Sequence, residues 1–180
     1  MLRVLNDLHI GAVRSAGTTV ASQAALTASL HTQFKNLLPD SGDLLIQGDL
    51  FDSGSVPVSA VLQTFLTLSQ WLEAGADRHL YCMAGNHDLN KTSSILSSFQ
   101  FLGRLLKKVY AGRCTVIEEP TMTPYGYMIP HLPNQEQFDL ALLKVPETAY
   151  LFVHCNYNNF FAQQADQSLN MSEEQVANCK

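Results

Sequence analysis

Apolar residues in this chain gather into short solid blocks, separated by longer stretches with helical spacing. The solid blocks predict strands at Leu2 to Asn6, Asp43 to Gln47 (DLLIQ), His79 to Ala84 and Ala149 to Val153 (AYLFV). Thr115 to Ile117 and Tyr125 to Ile129 predict two more, arranged as a hairpin or meander. Thr19 to Leu38 is free of Pro and Gly and predicts a helix, which Pro39, Ser41 and Gly42 end. Val58 to Ala74 predicts a second helix. Pro57 suits its first turn, and Leu62, Phe65, Leu66, Leu68 and Leu72 form its apolar face. Ser94 to Lys108 predicts a third, with basic residues at the end where the helix dipole favours them. Gln135 to Lys144 predicts a short helix, and Met171 to Cys179 a last one, with Ser172 ahead of Glu173 and Glu174. Asn156 to Asn170, rich in Asn, Gln, Ser and Ala, is the weakest candidate for order.

Early β-α-β alternation followed by further strands predicts an α/β layered fold, in one domain spanning residues 1–180. A hydrophobic content of 46% is enough for a sizeable core. The net charge of -5, from 11 basic and 16 acidic residues, argues against a strongly basic nucleic-acid binder. Bound cations can reverse the local field, so phosphate substrates stay open to an acidic chain. Cys82, Cys114, Cys155 and Cys179 make no CxxC pair, which predicts reduced thiols. No basic leader precedes an apolar stretch and no apolar run is long enough to span a bilayer. The expectation is a cytoplasmic protein without membrane association.

Four polar clusters each follow an apolar strand: Asn6-Asp7-Leu8-His9, Gly48-Asp49-Leu50-Phe51-Asp52, Gly85-Asn86-His87-Asp88 and His154-Cys155-Asn156. Alone, an Asp at a strand end is a turn former and a His is a hydrogen-bonded structural residue. Together, four strand ends of a layered fold can converge, and all four carry oxygen or imidazole donors. Two divalent ions about 3.5–4 Å apart can clamp a phosphate and activate water for attack. One carboxylate must reach both ions, and Asp49, in a central cluster, can do so. Asp7 and His9 are alternate residues that a strand end can turn toward one ion. Asn86 adds a neutral carbonyl oxygen. Two carboxylates against two divalent cations leave the site positive, which attracts phosphate. Mixed oxygen and imidazole donors suit Mn, Fe, Zn or Ni better than Ca; the expected metal is Mn, with Fe, Zn, Ni or Mg as alternatives. His87 is placed to protonate a leaving alkoxide, with Asp88 orienting its ring. Asp52 is expected behind the ligands, not among them.

These clusters resemble the calcineurin-like metallophosphoesterase signature of D-x-H, GD-x-x-D, GNH-D/E and a strand-end His, over residues 1 to about 156. The resemblance implies a four-layer αββα sandwich with metals at the strand ends. It implies Asp7, His9 and Asp49 at one metal and Asp49, Asn86 and His154 at the other. Asp49 would bridge and His87 would be the catalytic acid. LNDLHIG, GDLFDSGSVP and GNHD look most like SbcD-type DNA repair nucleases and phage exonucleases. That likeness implies DNA as substrate, and an ATPase, another protein or a second copy as partner. Protein phosphatases typically carry Arg just after GD-x-x-D and read GNHE, whereas this chain has Ser53 and Asp88. A phosphomonoesterase and a catalytically impaired scaffold are the alternatives. The family's closing GH-x-H does not follow His154. The expectation is therefore a fold incomplete at its C-terminal side, with weakly held ions, or a site completed by another chain.

Other candidates have plainer expectations. His31 and His79 are read as surface or capping residues and His131 as a loop residue able to approach substrate. Tyr125 and Tyr127 are read as core. Phe160 and Phe161 are equally suited to packing or to stacking on bases. Arg104, Lys107, Lys108 and Arg113 are read as a solvated helix end, with phosphate contact the alternative.

Overall fold

The computed structural model describes residues 1–12, 19–90, 95–158 and 169–177. Phe160, Phe161 and Cys179 lie outside the described residues, as does most of the segment expected to be poorly ordered. In chain order the elements are β1 (Leu2–Leu5), α1 (Val20–Leu37), β2 (Asp43–Gln47), α2 (Val58–Glu73), β3 (Leu80–Met83), α3 (Ser98–Val109) and β4 (Cys114–Ile117). There follow β5 (Thr121–Thr123), β6 (Gly126–Ile129), α4 (Gln135–Leu142), β7 (Leu151–Val153), β8 (Asn156–Tyr157), β9 (Asn170–Met171) and α5 (Glu173–Val176).

The first four strands form a parallel sheet in the order β1-β2-β3-β4, with Leu5 beside Ile46, Ile46 beside Cys82 and Cys82 beside Val116. A second sheet has the order β5-β6-β7, with β6 antiparallel to β5 and parallel to β7. The expected hairpin of 115–117 with 125–129 is therefore corrected: β4 and β6 belong to different sheets. The antiparallel partner of β6 is β5, whose Thr-Met-Thr lacks an apolar block.

Alternation along the strands builds the layers. Leu44, Ile46, Leu80 and Cys82 face α1, α2 and α3, packing with Phe34, Leu68, Leu72, Phe99, Leu102 and Leu106. The residues between them, Leu45, Tyr81 and Met83, face the second sheet and meet Ile117, Met128 and Phe152. The far side of that sheet, Ile129 with Tyr127, Leu151 and Val153, is covered by Phe138, Ala141 and Leu142 of α4. The order is helix, sheet, sheet, helix, the sandwich that the motif resemblance implied. Each fully buried Leu or Ile contributes about 1.5–3 kcal/mol.

The helices differ from expectation in detail. α2 buries Val61, Thr64, Leu68, Trp71 and Leu72, while Leu62 and Leu66 stand about half exposed. α3 begins later than expected because Ser97 caps it. The Ser97 hydroxyl accepts from the Gln100 amide, and the Gln100 side chain accepts from the Ser97 amide. Ser172 caps α5 in the same way, with Met171 assigned to β9. Among the described residues no helix is long and apolar enough to cross a membrane.

Candidate metal centre

Parallel strands deliver their C-terminal loops to one end of the sheet, so the loops after β1, β2 and β3 meet there. Pairing continues past the strands. The His9 and Ile10 amides donate to the Asp49 and Leu50 carbonyls at 3.0 and 2.9 Å, and the Asp52 amide returns to Ile10 at 3.2 Å. Asp7, His9 and Asp49 all adopt left-handed backbone, with φ of 52°, 45° and 50°. Such conformations cost about 1–3 kcal/mol and cluster at functional sites. The turn of Asp7 and His9 toward one place thus comes from left-handed loop residues. The expected strand alternation is corrected, because β1 ends at Leu5.

Two glycines let the loops close. A Cβ on Gly48, whose φ is +86°, would collide with the His154 ring, and one on Gly85 would collide with the Asp49 carboxylate and amide. This is the physical content of the Gly-Asp and Gly-Asn pairs.

Asp49 is 3% exposed and central. Its Oδ1 accepts the His87 amide at 3.0 Å. Its Oδ2 lies 3.8 Å from His9 Nε2 and 3.4 Å from His154 Nε2. His154 Nε2 is also 3.0 Å from Asn86 Oδ1. Its Nδ1 lies 3.1 Å from the Gln47 carbonyl, which it reaches as a donor and so leaves Nε2 facing the cavity. The Gln47 amide donates to the Val153 carbonyl at 2.8 Å, joining the two sheets at this point. Asp7 is exposed beside them, with Asn6 Nδ2 donating to its Oδ2 at 2.7 Å. Burial works to raise the Asp49 carboxyl, but the His154 contact, the His87 amide and both imidazole charges outweigh it and hold the carboxyl low. Burial works to lower His154, but Asp49 outweighs it and raises the imidazole. Each group thus favours the charged form of the other, and a divalent cation at the same atoms would take the place of the shared proton.

His87 is half-buried, its Nδ1 2.8 Å from the Asp52 carbonyl and its ring edge-on to His9 at 4.9 Å. Asp88 does not orient that ring, which corrects the expectation. It is fully buried and accepts from the amides of Gly85, Phe51 and Leu50 at 2.9, 2.9 and 3.3 Å. It ties the loop after β3 to the loop after β2. Burial pushes its carboxyl up to about 7, against the pull of those three amides. Asp52 Oδ1 is 3.5 Å from His9 Nδ1.

The cavity over these groups holds about 470 Å³ and is lined by polar side chains, among them Asp7, Asn86, His87 and His154. Potential ligand atoms of Asp7, His9 and Asp49 lie within 4.8 Å of one another, as do those of His9, Asp52 and His87. The chain matches the profile of the calcineurin-like phosphoesterase family over residues 2–170. It belongs to that family. As a calcineurin-like phosphoesterase it is a metal-dependent hydrolase of phosphate esters, and the family typically binds two divalent metals. The donor set fits such ions. It joins carboxylate, amide oxygen and imidazole, with His9 Nε2 and His154 Nε2 both turned to Asp49 Oδ2. Comparison with curated proteins finds no match.

One feature of this calcineurin-like phosphoesterase site has no mark in the sequence: Gln47, the last residue of β2, holds Val153 through its side-chain amide and His154 through its carbonyl. His131, read as a loop residue able to approach substrate, lines the cavity. By contrast His79 bonds Thr115 and stacks on Tyr81, and Tyr125 donates to Asp43 at 2.7 Å, so both build the inter-sheet region. Arg113 donates to the Leu72 and Gly75 carbonyls, a structural role.

Proposed function

We propose that the chain is a two-metal phosphodiesterase cleaving DNA, in the manner of the SbcD-type and phage exonucleases its motifs resemble. The supporting observation is Asp49 Oδ2 between His9 Nε2 and His154 Nε2, at 3.8 and 3.4 Å. In this reading Asp7, His9 and Asp49 hold one ion, and Asp49, Asn86 and His154 the other. Bound there, the ions supply charge neutralisation at the phosphate and activation of water. Mn is the preferred metal, with Fe, Zn, Ni or Mg as alternatives.

The chain's own groups do the rest. Asp49 Oδ1 is committed to a backbone amide, so Oδ2 would be the oxygen left to hold metal. His87 Nδ1 is committed to the Asp52 carbonyl, which leaves Nε2 to carry the proton that a leaving oxygen takes. Ser53 turns its hydroxyl to the Ser55 carbonyl and offers no cation for the extra charge of a phosphomonoester. A diester bears less charge and does not need one. The same likeness supports an ATPase, another protein or a second copy as partner.

The test is hydrolysis by Mn-loaded protein of linear DNA and bis-p-nitrophenyl phosphate, against p-nitrophenyl phosphate. The diesters should be cleaved faster. Faster cleavage of the monoester would favour the phosphomonoesterase alternative.

A further inference from the structure

We propose that His131 is a further ligand of the ion assigned to Asn86 and His154. This rests on the two-ion reading above. β6 and β7 run parallel with Ile129 beside Val153, so the chain leaves both strands at the same end. His154 follows Val153 directly, and His131 follows Ile129 across Pro130. The His131 amide donates to the Ala84 carbonyl at 2.9 Å, fastening it beside the Gly85-Asn86 loop. His131 is thereby anchored between the two segments that carry Asn86 and His154.

The side chain lines the same cavity as Asp7, Asn86, His87 and His154. Among the described residues its ring has no hydrogen-bond partner, whereas His154 and His87 each spend one nitrogen on a carbonyl. An imidazole that shares this cavity with the His154 imidazole, the Asn86 amide and the Asp49 carboxylate suits a transition-metal cation.

The experiment loads the protein with Co²⁺ alone and follows it by calorimetry and paramagnetic NMR, in the wild type and in His131→Gln. The wild type should bind two ions, with a Co²⁺-shifted imidazole signal from His131 beside those of His9 and His154. His131→Gln should lose that signal and hold one ion at least about 10–100-fold more weakly, as loss of weaker supporting contacts already does. Unchanged affinities and an unchanged set of shifted signals in the variant would overturn the inference while leaving the two-ion reading intact. A wild type that binds no second ion would overturn both. If His131→Gln fails to fold, the wild-type spectrum decides, and an unshifted His131 signal refutes the assignment.

Discussion

At His87 one ring nitrogen is engaged by a backbone carbonyl and the other is free to work. His87→Ala should lower turnover by about 10²–10⁴-fold, the usual range for a general acid, with metal stoichiometry retained. Paired kinetics and elemental analysis check this; loss of the metals along with activity would make His87 a ligand or a structural support. His31 is a different case. It was expected at the surface, yet both ring nitrogens are buried without a hydrogen-bond partner, and burial lowers its pKa below 6.5. The unfolded chain therefore takes up a proton near pH 6.5 that the folded chain refuses until lower pH. The stability linked to neutral His31 is full above that point and is lost as pH falls through the folded value. His31→Leu should stabilise by about 1 kcal/mol at neutral pH, and by more in mild acid. Urea midpoints at the two pH values test it, and a variant no more stable than wild type at either would contradict it. An α-helical His carries no sequence mark of its burial, which is why this residue was not legible.

At the scale of elements, short loops and the glycines inside them assemble the site. Gly85 has no left-handed φ, so Ala there is resisted by steric contact, and its three nearest contacts are all with Asp49. Gly85→Ala should keep the far-UV circular dichroism of the wild type and weaken both ions, by roughly the 10–100-fold that disturbing a ligand's support costs. Unchanged metal affinity would show that Asp49 is not held by this contact. The strand-loop-helix order was legible because apolar blocks and helical spacing mark it directly, and the four clusters could be placed at strand ends. The left-handed turns at Asp7, His9 and Asp49 were not, since Asp and His occur in many backbone states. The Asp88 carboxylate departs from expectation for a related reason. Sequence adjacency to His87 suggested a side-chain contact, but the tight turn sends Asp88 inward to three amides.

On the scale of the whole molecule, the site exists because two sheets pack face to face. Asp7, His9, Asp49 and Asn86 come from loops of the first sheet, and His154 and His131 from the second. Leu45, Tyr81, Met83, Ile117 and Met128 form the layer between them. The family resemblance supplied the sandwich. Strand alternation alone gave no means of assigning β4 and β6 to different sheets, because pairing partners are a tertiary choice. Asp49 is where both halves meet, so the central claim is that one carboxylate serves two ions. Elemental analysis and calorimetry on wild type and Asp49→Asn, after stripping and reloading with Mn²⁺, test this most directly. The account predicts two ions bound by the wild type and binding lost at one or both positions in Asp49→Asn. Two ions held with wild-type affinity by Asp49→Asn would contradict it.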